Sequence, residues 1–345
     1  MSDTTVPGPT GPAVPSPSEA FLDAAGATSH RKLLTEMLET VAQFAKDDQD
    51  TLDLKIAAAA LHEMREAFEV FQPYRGVPKV TIFGSARTKP DDPLYGQARD
   101  VARHLAEEGW MVVTGAGPGI MQAGMEGAGR EQSIGVAIRL PFEQSANSVI
   151  AGDDKYVSMK YFFTRKLMLI KESKGFICLP GGFGTLDETF ELLTLTQTGK
   201  GLPVPIVLLD TPGDTYWASM RDVIQRELVA RGLVSPADMD LFMITDSCTD
   251  AVHEVVRFYS NYDSLRYVGD RLVLRVRQAP DEEQLERLNA EFGHLCTKGR
   301  IERAQPASIE IRERDALDMQ RVAFQFAKHG FGDLRNLIDA LNQMV

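Results

Sequence analysis

A chain of 345 residues, 43% hydrophobic and 25% charged, is long enough for one large α/β domain with additions, or for two domains. Its formal charge of −12 excludes a general nucleic-acid binder, which needs a basic surface, so an anionic ligand must be held by local features. Cys178, Cys248 and Cys296 are widely spaced with no CxxC pair, against a disulfide framework or zinc site, and no apolar run reaches the roughly 18 residues that cross a membrane.

In chain order, residues 1–28 carry Pro7, Pro9, Pro12, Pro15 and Pro17 among small polar residues, a composition that predicts a disordered tail. The stretch carries no basic-then-apolar signal, so the expected location is cytoplasmic. Residues 29–76 show two helical stripes, Leu34, Met37, Val41 and Phe44, then Ala57, Leu61, Met64, Phe68 and Phe71. Such stripes predict packing against a core or a partner subunit rather than a cofactor site.

Residues 77–262 alternate strands, predicted at 80–83, 110–114, 134–140, 176–179, 204–209 and 241–245, with helices, including 95–107, 159–174, 186–198, 216–231 and 251–259. The strands are apolar throughout rather than alternating, which predicts an α/β, Rossmann-like, doubly wound parallel sheet covered on both faces. Residues 263–345 break the alternation and read as a small α+β appendage, with strands at 272–276 and 308–311 and helices at 282–296 and 318–344. Packing, oligomer contact or regulation would suit it.

Three glycine-bearing turns fall at strand carboxyl ends, where such sheets bind ligands. They are Gly84-Ser85, Gly115-Ala116-Gly117-Pro118-Gly119 and Pro180-Gly181-Gly182-Phe183-Gly184-Thr185. The second lacks the GxGxxG spacing of dinucleotide sites, because Ile120 stands where the last glycine belongs, and Arg139 stands near the place of the ribose-binding acid. A mononucleotide fits better. In the third turn, glycines let the backbone approach a ligand and the new helix offers unpaired N–H groups to a phosphate. The plain alternative is a capping box, Thr185 with Glu188, that only satisfies the helix end. Arg165, among Lys160, Lys166, Lys171 and Lys174, reads by spacing as part of a solvated basic face as readily as a functional residue.

Residues 180–188 match the PGGxGTxxE motif, and Thr164-Arg165-Lys166 matches the Arg-Lys pair on the preceding helix; together they resemble the LOG family of cytokinin riboside 5′-monophosphate phosphoribohydrolases, long mislabelled as lysine decarboxylases. The resemblance covers roughly residues 79–259. Ala116 departs from the family's GGG-type loop. The resemblance implies hydrolysis of the N-glycosidic bond of a nucleoside 5′-monophosphate, a cytokinin riboside 5′-monophosphate or AMP, with Arg165 and Glu188 catalytic.

The 5′-phosphate is expected on backbone N–H groups of Gly182, Gly184 and Thr185 and of Gly117 to Gly119, with Ser85 and the Thr185 hydroxyl assisting and Gly84, Met159, Lys166 and Gly181 completing the binding set. No metal or cofactor is called for, since helix termini and cations supply the positive field. Glu143 and Asn147 resemble part of a loop that borders the nucleotide in longer relatives. The resemblance also implies a homodimer or higher homo-oligomer with the site near the subunit contact. The contrasting expectation is a nucleotide-binding, sensing or carrier protein without turnover. The old decarboxylase label is set aside, because nothing singles out a Schiff-base lysine with an acidic partner for pyridoxal phosphate.

Overall fold

The computed structural model describes residues 16–140 and 146–345. The chain divides into two compact units, one ending at His62 and one spanning Glu63–Val345.

In the first unit α1 (Pro17–Ala24) forms where the proline-rich composition predicts disorder. Pro17 sits in the first turn, and a reciprocal pair sets the helix start, Glu19 N–H donating to Ser16 Oγ at 3.2 Å and Ser16 N–H to Glu19 Oε2 at 2.8 Å. The next helix, α2 (Arg31–Lys46), buries none of its residues, and Leu33, Met37 and Val41 are exposed. Helix α3 (Thr51–Phe71) gives its second half, from Glu63, to the larger unit.

The larger unit alternates as predicted, with one more strand. In order it holds β1 (Lys79–Phe83), α4 (Pro93–Glu107), β2 (Met111–Thr114), α5 (Ile120–Ala128), β3 (Ser133–Ile138), β4 (Tyr156–Met159) and α6 (Phe162–Lys171). Then come β5 (Gly175–Cys178), α7 (Phe183–Gln197), β6 (Ile206–Leu209), α8 (Tyr216–Val223), β7 (Met243–Thr245) and α9 (Cys248–Arg257). The seven strands form one parallel sheet in the order β4-β3-β2-β1-β5-β6-β7.

Alternate residues of the central strands feed two cores. Val80, Ile82, Val112, Ile177 and Val207 meet Ala98, Val101 and Leu105 of α4 and Val255 of α9. Phe83, Val113, Phe176, Cys178 and Leu208 face the other way, onto Met168 and Leu169 of α6, Leu192 of α7 and Trp217 of α8. Burial on both faces is why these strands read as continuous apolar runs.

Strand β4 corrects the predicted helix at 159–174. Met159 ends a strand, paired with Ile138, and the helix starts only at Phe162. As the sheet's edge, β4 alternates buried and half-buried residues, too short a pattern to separate from the helix that follows two residues later.

The carboxyl-terminal part adds β8 (Tyr262–Val268), β9 (Arg271–Val276), α10 (Glu282–Phe292), β10 (Glu302–Arg303), α11 (Ser308–Glu313), β11 (Gln320–Phe324) and α12 (Phe331–Asn342). Its four strands make an antiparallel sheet in the order β10-β11-β9-β8. The predicted strand at 308–311 is a helix, because Glu310 reaches back to the Ala307 N–H at 3.0 Å and opens α11. The predicted helix at 318–344 begins instead with β11. Among the described residues no helix is long and apolar enough to cross a membrane.

Candidate active site

The strand order reverses at β1, which pairs with β2 on one side and β5 on the other, and a ligand crevice opens at such a switch point. The turns after β1, β2 and β5 meet there through Ser85: its N–H donates to Pro180 O at 3.3 Å and its carbonyl accepts from Ile120 N–H at 3.0 Å. Gly119 makes that approach possible. Its φ is +65°, and a Cβ there would lie 2.4 Å from Ser85 O. The cleft over these turns measures about 1020 Å³ and is lined by all three of them, by Arg139 and Arg165, and by Glu188, Tyr216 and Met220.

Helix α7 begins three residues before the capping-box reading puts it. Gly182 is its N-cap, without a side-chain hydrogen bond, so Thr185 and Glu188 lie inside the helix and turn inward. The N–H groups of the first turn are left for a ligand. Gly182 and Gly184 face open space, whereas Gly181 lies against Thr185, whose Oγ1 would be 2.1 Å from an added Cβ. Tyr216 braces this turn from α8, donating its hydroxyl to Gly181 O at 2.7 Å. At the apex Phe183 is 94% exposed.

Glu188 is 6% exposed, and its Oε2 has no hydrogen-bond partner. Lys166 Nζ lies 4.0 Å from it but is committed to Glu191 at 2.5 Å and Asp187 at 2.9 Å. Burial therefore pushes the Glu188 carboxyl up to about 7, against the pull of Lys166 and Arg165 and with added push from Glu191 and Asp187. Lys166, with three carboxylates around it, is held in its charged form: burial opposes the charge, and Glu191 and Asp187 outweigh it. That is the opposite of a Schiff-base amine, and no lysine is among the described residues lining the cleft.

Arg165 enters from α6. Its Nε donates to Val136 O of β3 at 3.0 Å and its guanidinium packs on Gly115, where an added Cβ would meet Nη2 at 2.1 Å. In the loop after β2, Ala116 takes the left-handed conformation, φ +58°. Asn147 supports that loop, its N–H donating to Ala116 O at 2.9 Å and its Nδ2 to Gly117 O at 3.1 Å. Glu143 lies outside the described residues.

Of the predicted residues, Gly84, Ser85, Gly117, Arg165, Gly181, Gly182, Gly184, Thr185 and Glu188 line one cleft. Gly119, Met159 and Lys166 do not: Gly119 fastens the turn, Met159 is fully buried at the end of β4, and Lys166 is tied to α7. Tyr216, Met220, Tyr156 and Ser158 also line the cleft without having been expected there. None carries a local motif. Cys178, predicted to be an inert core thiol, is fully buried and pushed up to about 12 by that burial.

A family model described as "Possible lysine decarboxylase" matches residues 119–255. The chain is 30% identical over 163 residues to the cytokinin riboside 5′-monophosphate phosphoribohydrolase of Mycobacterium tuberculosis, across 46% of this chain and 83% of that one. It is 33% identical over 143 residues to the probable cytokinin riboside 5′-monophosphate phosphoribohydrolase LOG6 of Arabidopsis thaliana, across 40% of this chain and 68% of that one. Among solved structures, the Moco carrier protein from Chlamydomonas reinhardtii is similar at 20% identity and a TM-score of 0.35, across 52% of this chain and 96% of that one.

Proposed function

The chain belongs to the LOG family of cytokinin riboside 5′-monophosphate phosphoribohydrolases, and from that premise we propose that it hydrolyses the N-glycosidic bond of a nucleoside 5′-monophosphate, AMP or a cytokinin riboside 5′-monophosphate. The products are the free base and ribose 5-phosphate. The observation that carries this reading is Glu188: a buried carboxyl with an unpartnered oxygen, lining the same cleft as the open first turn of α7, its proton affinity tuned to about 7. Binding phosphate alone gives no reason to bury a carboxylate there.

In this reading the phosphate sits on the first-turn N–H groups of α7, with the turns after β1 and β2 completing the cradle. Breakage of the C1′–N bond builds positive charge on the ribose and negative charge on the base. Ionised Glu188 stabilises the first and takes a proton from the water whose oxygen bonds to C1′; the base nitrogen leaves with the C1′–N bond pair and takes up that proton, passed on from Glu188 through water, so that Glu188 ends ionised. Arg165, held against Gly115 at the cleft, supplies fixed positive charge either to the anionic oxygens of the nucleotide or to the departing base. A homodimer with the cleft near its subunit contact belongs to the same reading, supported by the exposed Phe162, Phe163 and Leu167 on the helix that carries Arg165.

The test is to incubate the pure protein separately with AMP and isopentenyladenosine 5′-monophosphate and to quantify base and ribose 5-phosphate. Turnover is expected, falling about 100-fold or more in Arg165→Ala and Glu188→Ala. Tight binding of both nucleotides with no release from either would replace hydrolysis with a sensing or carrier role.

A further inference from the structure

Glu63 takes no part in that chemistry, yet its buried carboxylate touches both elements that bring arginine to the cleft. Oε1 accepts from Lys160 N–H at 2.6 Å and from Arg139 Nη2 at 3.0 Å, and Oε2 accepts from Thr164 Oγ1 at 2.8 Å. Helix α6 has no cap of its own, since Tyr161 at its N-cap makes no side-chain hydrogen bond. Lys160 stands one residue before that N-cap, and the Tyr161 N–H also reaches the carboxylate, so the anion satisfies a donor at the helix start and is favoured by the helix dipole. Burial works against the charge on Glu63, but donors from Lys160, Thr164, Tyr161 and Arg139 outweigh it, and the carboxyl is held below its ordinary value. Thr164 directly precedes Arg165, and Arg139 lines the cleft itself.

We propose that Glu63 is a positioning residue of the cleft, capping α6 from outside so that Arg165 is held on Gly115 and Val136, and fixing Arg139 at the end of β3. The proposal rests on the nucleotide reading above.

The full chain carrying Glu63→Gln tests it, because the amide nitrogen that replaces one oxygen cannot accept the hydrogen bonds made there. Three readouts are taken: backbone hydrogen exchange over residues 158–168, kcat and KM for AMP, and AMP affinity in the Glu188→Gln background. Exchange at 160–164 is expected to rise about 10-fold and kcat to fall about 10- to 100-fold, as a misplaced catalytic group would give. Unchanged exchange overturns the capping role. Faster exchange with both turnover and affinity unchanged overturns the positioning role. If wild-type protein binds AMP without hydrolysing it, the hydrolase reading fails alone, and Glu63 is then judged on affinity: a fall supports the proposal, and no change overturns it. Should Glu63→Gln not fold, Thr164→Val removes the Oε2 contact together with the hydroxyl's contact to Tyr161 O at 2.9 Å, leaves both Oε1 contacts, and decides by the same readouts, with effects of about 3-fold.

Discussion

In the proposed reaction Glu188 links stability and activity through one proton. Its folded value of about 7 stands above the ordinary 4.5, so the native state binds this proton more tightly than the unfolded chain. Stability from this group is therefore present below pH 4.5 and is lost as pH rises through 7, on the order of 3 kcal/mol across the window. Glu188→Gln should abolish that loss, raising the melting temperature at pH 8 by several degrees while changing it little at pH 4. Activity runs the other way. With ionised Glu188 as base, kcat/KM for AMP should climb about tenfold per pH unit below 7 and level off above it, separable from the phosphate's own proton near pH 6. A flat profile between pH 6 and 8 would deny Glu188 the role of base.

At the scale of elements, the cleft depends on helix ends fastened by side chains from elsewhere. Asp210, following β6, accepts from Trp217 N–H at 3.1 Å and so caps α8, which places Tyr216 to brace Gly181. Tyr216→Phe removes that single hydrogen bond. The expected cost is about 1 kcal/mol of stability and, in the proposed reaction, a several-fold rise in KM for AMP with a smaller change in kcat, since the loop proposed to receive the phosphate is loosened while Glu188 stays in place. Steady-state kinetics checks it: a fall in kcat with KM unmoved would mean that Tyr216 acts on the reaction itself. These fasteners explain what was hard to read. Glu63 and Thr164 stand 101 positions apart, and no local pattern announces such a pair. The glycine turns were legible because their chemistry is local, and the inward turn of Glu188 was not, because it depends on α7 starting at Phe183 rather than after Thr185.

At the scale of the whole molecule, the antiparallel sheet is held by buried charge as well as apolar packing. Glu310, fully buried, accepts from Arg275 Nη2 at 2.8 Å and Arg321 Nε at 3.3 Å, and Arg275 also pairs with Asp315 at 2.6 Å. Beneath it lies an apolar core that includes Leu274, Val322, Phe324 and Leu337. Glu310→Ala leaves two buried guanidiniums short of a counter-ion and should cost about 3–5 kcal/mol, read as a lower denaturant midpoint. Burial opposes the Glu310 charge, but the Ala307 N–H, Arg275 and Arg321 hold its carboxyl below 4.5, so this contribution is complete above pH 4.5 and is lost as pH falls below it. Equal midpoints for wild type and Glu310→Ala at pH 7 would show that the pair is worth no more than its desolvation.

The sequence by itself determined the alternation of strand and helix in the larger unit and the glycine turns at the strand ends, because period, apolar runs and missing side chains act over a few residues. It also carried the motif that joins Arg165 to Glu188. Only the tertiary structure decided the rest: the edge strand β4, the helix where residues 308–311 alternate, the burial that raises Glu188, and Glu63 as cap of α6. Each of these depends on what a distant segment places beside a residue. Burial and hydrogen bonding are properties of that neighbourhood, which exists only once the chain has folded.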